Sequence, residues 1–311
     1  MKRRKKKLGH RPEFFRTILI LAIIACALTF ALVPGVWSFL AKYLPFIDEP
    51  RQITTPDGDM SVHFLDVGQG DCSLIIMPTG ETMLIDTSTK DQADVILEYI
   101  DYYKIKKIDY LVLTHPHADH IGSAPKIISS LDIGTVMMPD ATTNTRIFEQ
   151  TLNAIDAKNL EITIPKPGDE FKLGEASITI LGPVDNTDDL NNMSIVLRLD
   201  YGKTSFLFTG DAEHYSESLM LSKHKASAFK ADVLKIGHHG SSTSTSSKFL
   251  SAIDPDYAVI SCGKDNSYGH PHTETIKNFQ KKGITYFRTD EQGNIVFSSD
   301  GKSVTVLRPT A

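Results

Sequence analysis

The segment IDYLVLTHPHADHIGS, residues 108–123, constrains the fold more than any other part of the 311-residue chain. An apolar run of strand-forming residues ends at Leu113, and three histidines and an aspartate (His115, His117, Asp119, His120) follow within six positions. Pro116 disfavours the α region for His115, so the run cannot simply continue as helix. The four side chains therefore belong to a tight loop at the end of a buried strand, where they converge from one turn of backbone. Imidazole nitrogen and carboxylate oxygen suit zinc, manganese or iron, and the lack of a nearby cysteine argues against a thiolate structural site. Four ligands in six residues crowd a single tetrahedral ion, so two ions sharing the loop is the simpler geometry. The bland alternative is a polar surface loop whose histidines are incidental.

The surrounding pattern is layered α/β, with sheets between helices. Short β-rich runs are predicted at 62–65, 73–77, 82–85, 108–113, 135–138, 162–164, 177–181, 194–199, 205–209, 233–236 and 257–261, with further strands at the end of the chain. Helical spacing of apolar residues covers 92–103, 123–131, 212–221 and 273–282. Gln292-Gly-Asn and Asp300-Gly-Lys read as hairpin turns. The serine/threonine run 241–247 reads as a solvated loop, the alternative being that it lines the site entrance. Cys26, Cys72 and Cys262 make no disulfide framework, and the latter two read as small buried hydrophobes.

Charge divides the chain. Residues 2–16 hold eight of its 33 basic residues and one of its 38 acidic ones, leaving 25 basic and 37 acidic beyond, a net of −12. That remainder has no global electrostatic footprint for nucleic acid. Residues 17–41 carry no charge and are long enough to span a bilayer as a helix. Trp37, Phe39 and Tyr43 suit an interfacial belt, and the basic run before the span should stay cytoplasmic. A cleaved signal peptide would have a shorter apolar core. The expected organisation is a basic cytoplasmic segment (1–16), a transmembrane signal anchor (17–41), a proline-rich polar linker (42–60) and a hydrolase domain (61–311) outside the cell membrane, in a bacterial cell.

The histidine-rich loop resembles the HxHxDH signature of the metallo-β-lactamase superfamily. Other blocks agree: Asp86 in "LIDTS", Asp211 in "FLFTGDAE" and His238-His239 in "LKIGHHGS". The resemblance implies a four-layer αββα sandwich and two divalent ions, zinc or manganese. It implies that His115 and His117 hold the first ion, Asp119 and His120 the second, and that Asp211 bridges them. One histidine of the 238–239 pair would complete the second site. His238 is assigned as that ligand, though the sequence itself does not choose between the two. Asp86 would stand beside the ligands and orient them; Asp66 of "DVGQGD" is assigned the same role, though Asp66 and Asp71 there could equally be turn formers. Gly68 and Gly70 would let backbone approach the pocket.

The superfamily's usual third histidine at the first ion is missing, since residues 121–210 contain none. The matching segment is "DDLNNMSIVLRLDYGK", where Asn191, Asn192 or Ser194 takes its place. Asn192 is expected beside the first ion, and an amide oxygen there would favour manganese over zinc.

"FLDVGQGDCSLI", "THPHADHIGS", "NNMSIVLRL", "TGDAE", "LKIGHHGS", "SYGHPH" and "RTDEQGNIVFSSDGK" together resemble the extracytoplasmic metallo-β-lactamase-like domain of ComEC-type competence proteins, over residues 61–308. That resemblance implies a phosphodiesterase or nuclease acting on DNA, in which two cations lower the pKa of a bridging water and neutralise charge on phosphoryl oxygen. Asp119 and Asp211 would be essential, with His239 and His270 contacting phosphate or protonating the leaving group. ComEC-type proteins also have a multi-helix channel, whereas one apolar span is legible here, so a role in DNA transport does not carry over. Two other readings remain: hydrolysis of a small ester or cell-wall phosphodiester, and a binding module without catalysis. With no glycine-rich phosphate loop, no nucleotide cofactor is expected, and the sequence names no protein partner.

Overall fold

The computed structural model describes residues 55–307. Eight strands build the first sheet: β1 (Met60–Phe64), β2 (Ser73–Ile76), β3 (Thr82–Ile85), β4 (Lys107–Val112), β5 (Asp132–Met137), β6 (Ile162–Thr163), β14 (Ile295–Ser299) and β15 (Val304–Leu307). Their spatial order is β15-β14-β1-β2-β3-β4-β5-β6. Seven build the second: β7 (Glu170–Leu173), β8 (Ala176–Gly182), β9 (Val196–Tyr201), β10 (Thr204–Phe208), β11 (Val233–Lys235), β12 (Tyr257–Ile260) and β13 (Thr285–Arg288), in the order β13-β12-β11-β10-β9-β8-β7. The helices are α1 (Ala93–Tyr102), α2 (Ala118–Ile121), α3 (Ala124–Ser130), α4 (Arg146–Ala157), α5 (His214–Lys223), α6 (Ser247–Ile253), α7 (Thr273–Lys282) and α8 (Thr289–Gln292).

Alternation along single strands produces the layers. Ile75, Ile85 and Val112 of the first sheet meet Leu197, Phe206 and Phe208 of the second in a central core. Their neighbours Leu74, Leu84 and Leu111 turn outward, onto Ile96 of α1, Ile127 of α3 and Phe148 of α4. In the second sheet Leu207, Leu234 and Ala258 turn outward onto Met220 of α5, Phe249 of α6 and Phe279 of α7. Each sheet is thus buried on both faces, which is why the strands read as unbroken apolar runs rather than alternating ones. The result is the expected αββα sandwich.

Within the layers, β3, β4 and β5 run parallel, as do β10, β11, β12 and β13. Ligands of open α/β sheets gather beyond the carboxyl ends of such strands. Asp86 follows β3, the His115–His120 loop follows β4, Asp211 follows β10, and His238-His239 follows β11. The topology therefore delivers these motifs to strand ends that lie next to one another within each sheet.

Several local readings need correction. Helix α4 was not legible as an apolar run, because Phe148, Thr151 and Ile155 alone are buried in a polar segment. The serine run is solvated only in part, with Ser242, Thr243 and Ser247 exposed. Ser241, Ser244 and Thr245 are buried, and the backbone N–H groups of Thr245 and Ser246 donate to the Glu217 carboxylate. Gln292-Gly-Asn is no hairpin: it ends α8 with Gly293 at φ +69°, and carries the chain from one sheet to the other. Asp300-Gly-Lys does close the β14–β15 hairpin. Cys72 and Cys262 are buried free thiols in opposite outer cores. The apolar segment 17–41 lies outside the described residues, and among those described no helix is long and apolar enough to cross a membrane.

His63 of β1 supplies a pH-dependent contribution to stability. It is fully buried, with Nδ1 2.8 Å from the Tyr99 hydroxyl and Nε2 2.8 Å from Ser61 Oγ. Burial pushes its imidazole down to about 3. The unfolded chain takes up this proton near pH 6.5 and the folded chain does not, so stability falls as pH drops from 6.5 towards 3. Between pH 7 and pH 4.5 this residue should cost about 2–3 kcal/mol. Denaturant titrations at the two pH values should show that loss in the native chain and a smaller one in His63→Gln.

Candidate metal centre

The loop after β4 splits its four side chains between two places. His117 caps α2 in an extended conformation (φ −81°, ψ 151°), so His115 and His117 precede the helical turn while Asp119 and His120 sit on it. His115 Nε2 and His117 Nδ1 are 3.0 Å apart. The other ring nitrogen of His115 lies 3.2 Å from Thr114 Oγ1 and 3.3 Å from Ser194 Oγ, which leaves Nε2 facing the centre. His120 Nδ1 bonds Asp86 Oδ2 at 2.8 Å. Asp86 is itself held by the Thr114 N–H and hydroxyl, each donating at 2.7 Å. This fixes the His120 tautomer and turns Nε2 inward, to 3.2 Å from Asp211 Oδ2.

Two consecutive non-glycine residues in the left-handed region, His238 (φ 49°) and His239 (φ 52°), decide where the late histidines point. Such backbone is costly and tends to persist at functional sites, held by its surroundings. His239 is buried, with Nδ1 3.0 Å from the Ser261 carbonyl and 3.2 Å from Asp71 Oδ1. Its Nε2 lies 3.4 Å from Asp119 Oδ2 and 3.5 Å from Asp211 Oδ2. His238 is partly exposed: Nδ1 is 3.0 Å from Glu213 Oε1, and Nε2 stands 3.9 Å from Asp211 Oδ2. The structure thus gathers His239, the member assigned to proton transfer, among the inward-facing donors, and sets His238, the member assigned as ligand, at their edge.

The donor spacing matches a cation site. Ligands at 2.0–2.1 Å around a tetrahedral ion stand about 3.3 Å apart. The separations of 3.2, 3.4 and 3.5 Å among His120, Asp119, Asp211 and His239 are that size. His120 Nε2, His239 Nε2 and Asp211 Oδ1 are buried without a hydrogen-bond partner. Unpaired buried polar atoms are rare enough to require a cause, and a shared cation supplies one. The triads His115–His120–Asp211 and Asp119–His120–His239 each present donors within 4.8 Å of one another, with His120 common to both. Electrostatics agrees. Burial opposes charge on His239, yet Asp211 and Asp71, with Asp119, push its imidazole up to about 10. The pocket is built to favour positive charge.

Asp71, rather than Asp66, touches a donor. Asp66 is exposed, and its carboxylate accepts only the Gly68 N–H, at 3.4 Å, in the turn. Asp71 is buried against His239 and forms an ion pair with the buried Lys235, Nζ to Oδ2 2.7 Å. Lys235 Nζ also donates to the Ile236 carbonyl at 2.9 Å. Both aspartates belong to "DVGQGD", so the signal was present but not the choice between them. Gly70 (φ +130°) packs directly on the metal loop, where a β-carbon would overlap the Asp119 carbonyl oxygen.

Both polar atoms of the Asn192 side chain are committed to other partners. Its Oδ1 accepts the Glu213 and Ser216 N–H groups at 3.2 and 3.1 Å, binding the start of α5, and its Nδ2 donates to Asp189. Ser194 occupies the position beside the first pair, its Oγ accepting the Asp211 N–H at 3.0 Å while lying next to His115. His270 forms the outer wall, its ring 5.5 Å from His238 and 6.2 Å from His239. Burial and the three neighbouring histidines hold it down at about 4.

A family model for the metallo-β-lactamase superfamily matches residues 65–264. The chain belongs to this superfamily. ComE operon protein 3 of Bacillus subtilis (strain 168) is 29% identical over 298 residues, covering 90% of this chain and 38% of that protein. Competence protein ComA of Neisseria gonorrhoeae is 30% identical over 296 residues, covering 92% and 40%. Both are ComEC-like competence proteins, and the chain spans well under half the length of either. Among solved structures, the diiron β-hydroxylase CmlA from Streptomyces venezuelae superposes with a TM-score of 0.53 at 18% identity, covering 75% of this chain and 53% of that one. YhfI from Bacillus subtilis does so at 0.51 and 12%, covering 78% and 100%. These two likenesses establish the fold. Within that fold this chain carries candidate His/Asp clusters for a metal.

Proposed function

We propose that the chain is a membrane-anchored, divalent-metal-dependent phosphodiesterase that cuts DNA outside the cell. The observation that carries this reading is the position of Asp211, whose Oδ2 lies 3.2–3.9 Å from the nitrogens of His120, His239, His115 and His238. His115 and His117, with Asp211, would hold one ion; Asp119, His120 and His239, again with Asp211, would hold the other. When bound, two such ions supply Lewis acidity at a phosphoryl group and a nucleophile at neutral pH. Asp86 and Asp71 orient His120 and His239. His238, hydrogen-bonded to Glu213 with Nε2 turned towards the donors, is placed to give a proton to the departing oxygen. Residues 17–41 would anchor the domain, and the basic residues before them would keep the N-terminus inside. A reporter fused at Ala311 tests this topology, and a reporter active only in the cytoplasm would overturn it.

The competence relatives favour a DNA substrate. The net charge of −12 beyond residue 16 favours a second reading, a small cell-wall phosphodiester. Hydrolysis of linear DNA and of bis(p-nitrophenyl) phosphate by the full-length chain, in manganese, zinc or chelator, separates the two. Cleavage of both with metal supports the DNA reading. Turnover of the small diester alone supports the second, and turnover of neither overturns the proposal.

A further inference from the structure

The segment between β12 and α7 carries Tyr268, which at 63% exposure is the most exposed large hydrophobic side chain among the described residues. A single exposed aromatic ordinarily needs no explanation. This one lies nearly parallel to His270, with centroids 5.6 Å apart and planes 19° apart. His270 adjoins His238 and His239, so a continuous series of rings leads from the metal donors to an aromatic face in solvent. The loop is also braced from beneath. Asn266 Nδ2 donates to the carbonyls of Gly263 at 2.8 Å and His270 at 2.6 Å, and its Oδ1 accepts the His270 N–H at 3.0 Å. The Gly263 N–H donates in turn to Gln69 Oε1 at 3.2 Å, within the "DVGQGD" loop. These bonds tie the loop that displays the ring to a loop that also packs on the metal site. A rigidly supported aromatic beside a reaction centre is suited to positioning a flat group.

Charge narrows the identity of that group. A net of −12 beyond residue 16 gives little general attraction for a polyanion. Stacking on an aromatic ring needs no basic groove and accepts any base. From this geometry we infer that Tyr268, backed by His270, stacks the nucleobase next to the scissile phosphate, so that the preferred substrate is an unpaired strand. In a duplex both faces of that base are already covered. This inference rests on the phosphodiesterase reading and adds to it a residue that selects the substrate.

The test compares a single-stranded oligothymidylate with a strand of equal length made of abasic residues, using the full-length chain with manganese. The wild type should prefer the base-bearing strand roughly 5- to 150-fold in kcat/KM, the span one stacked base supplies. Tyr268→Ala should bring this ratio close to one, while Tyr268→Phe, which keeps the ring, should retain it. Equal cleavage of the two strands by the wild type, or an unchanged ratio in Tyr268→Ala, overturns the inference and leaves the phosphodiesterase reading standing. If the wild type cleaves neither strand nor bis(p-nitrophenyl) phosphate, that reading falls, and the inference with it.

Discussion

Asp211→Ala is expected to lower phosphodiester hydrolysis by at least about a thousand-fold while the chain remains folded. Asp211 is the carboxylate that reaches both groups of histidines, with Oδ2 3.2 Å from His120 Nε2 and 3.5 Å from His239 Nε2 in one group and 3.9 Å from His115 Nε2 in the other. Without it, two cations would face each other with no shared anion between them. Its backbone N–H bonds Ser194 Oγ, and an alanine keeps that contact, so the sheet that carries the loop should survive. Steady-state rates, with circular dichroism to confirm folding, measure the effect. A variant within tenfold of the wild type would remove Asp211 from the centre.

His239→Ala and His238→Ala should fail in different ways. His239 is buried, and its Nε2 sits among carboxylates, so its loss should release one ion or weaken its binding at least about a hundred-fold. His238 is partly exposed and hydrogen-bonded to Glu213, so its loss should leave the metal in place. The rate on DNA should nevertheless fall by about 100- to 10,000-fold, because an alkoxide leaving group needs a proton. p-Nitrophenolate leaves without one, so bis(p-nitrophenyl) phosphate turnover should suffer far less. Metal titration and the two substrates together distinguish the roles. Loss of metal from His238→Ala but not from His239→Ala would reverse them.

The sequence disclosed those parts of the site that depend on strand ends. An apolar run stopping at His115, Asp86 or Asp211 marks the carboxyl end of a buried strand, and parallel neighbours bring such ends together. What stayed hidden depends on local backbone geometry. His238 and His239 are identical side chains in adjacent positions, and two left-handed residues in succession decide which of them turns inward. Asp66 and Asp71 differ in the same way: one ends exposed in the turn, while the other meets Lys235, which lies more than 160 residues further along the chain. Asn192 looked like the substitute for an absent histidine, but the start of α5 needed its carbonyl oxygen. Helix α4 carries no legible apolar run because a narrow buried stripe is enough where one face alone meets a sheet. The four-layer arrangement, by contrast, follows from strands that are apolar on both faces.

His115 and His117 on one side and Asp119, His120 and His239 on the other are proposed to hold two ions through a shared Asp211. The most direct measurement is elemental analysis of the full-length chain after reconstitution with manganese or zinc and removal of free metal. The wild type should hold close to two ions per chain, one released more readily because the first group has Ser194 where a third imidazole would strengthen it. Asp211→Ala should hold at most one. A wild-type content below half an ion per chain, even after reconstitution, would contradict the account.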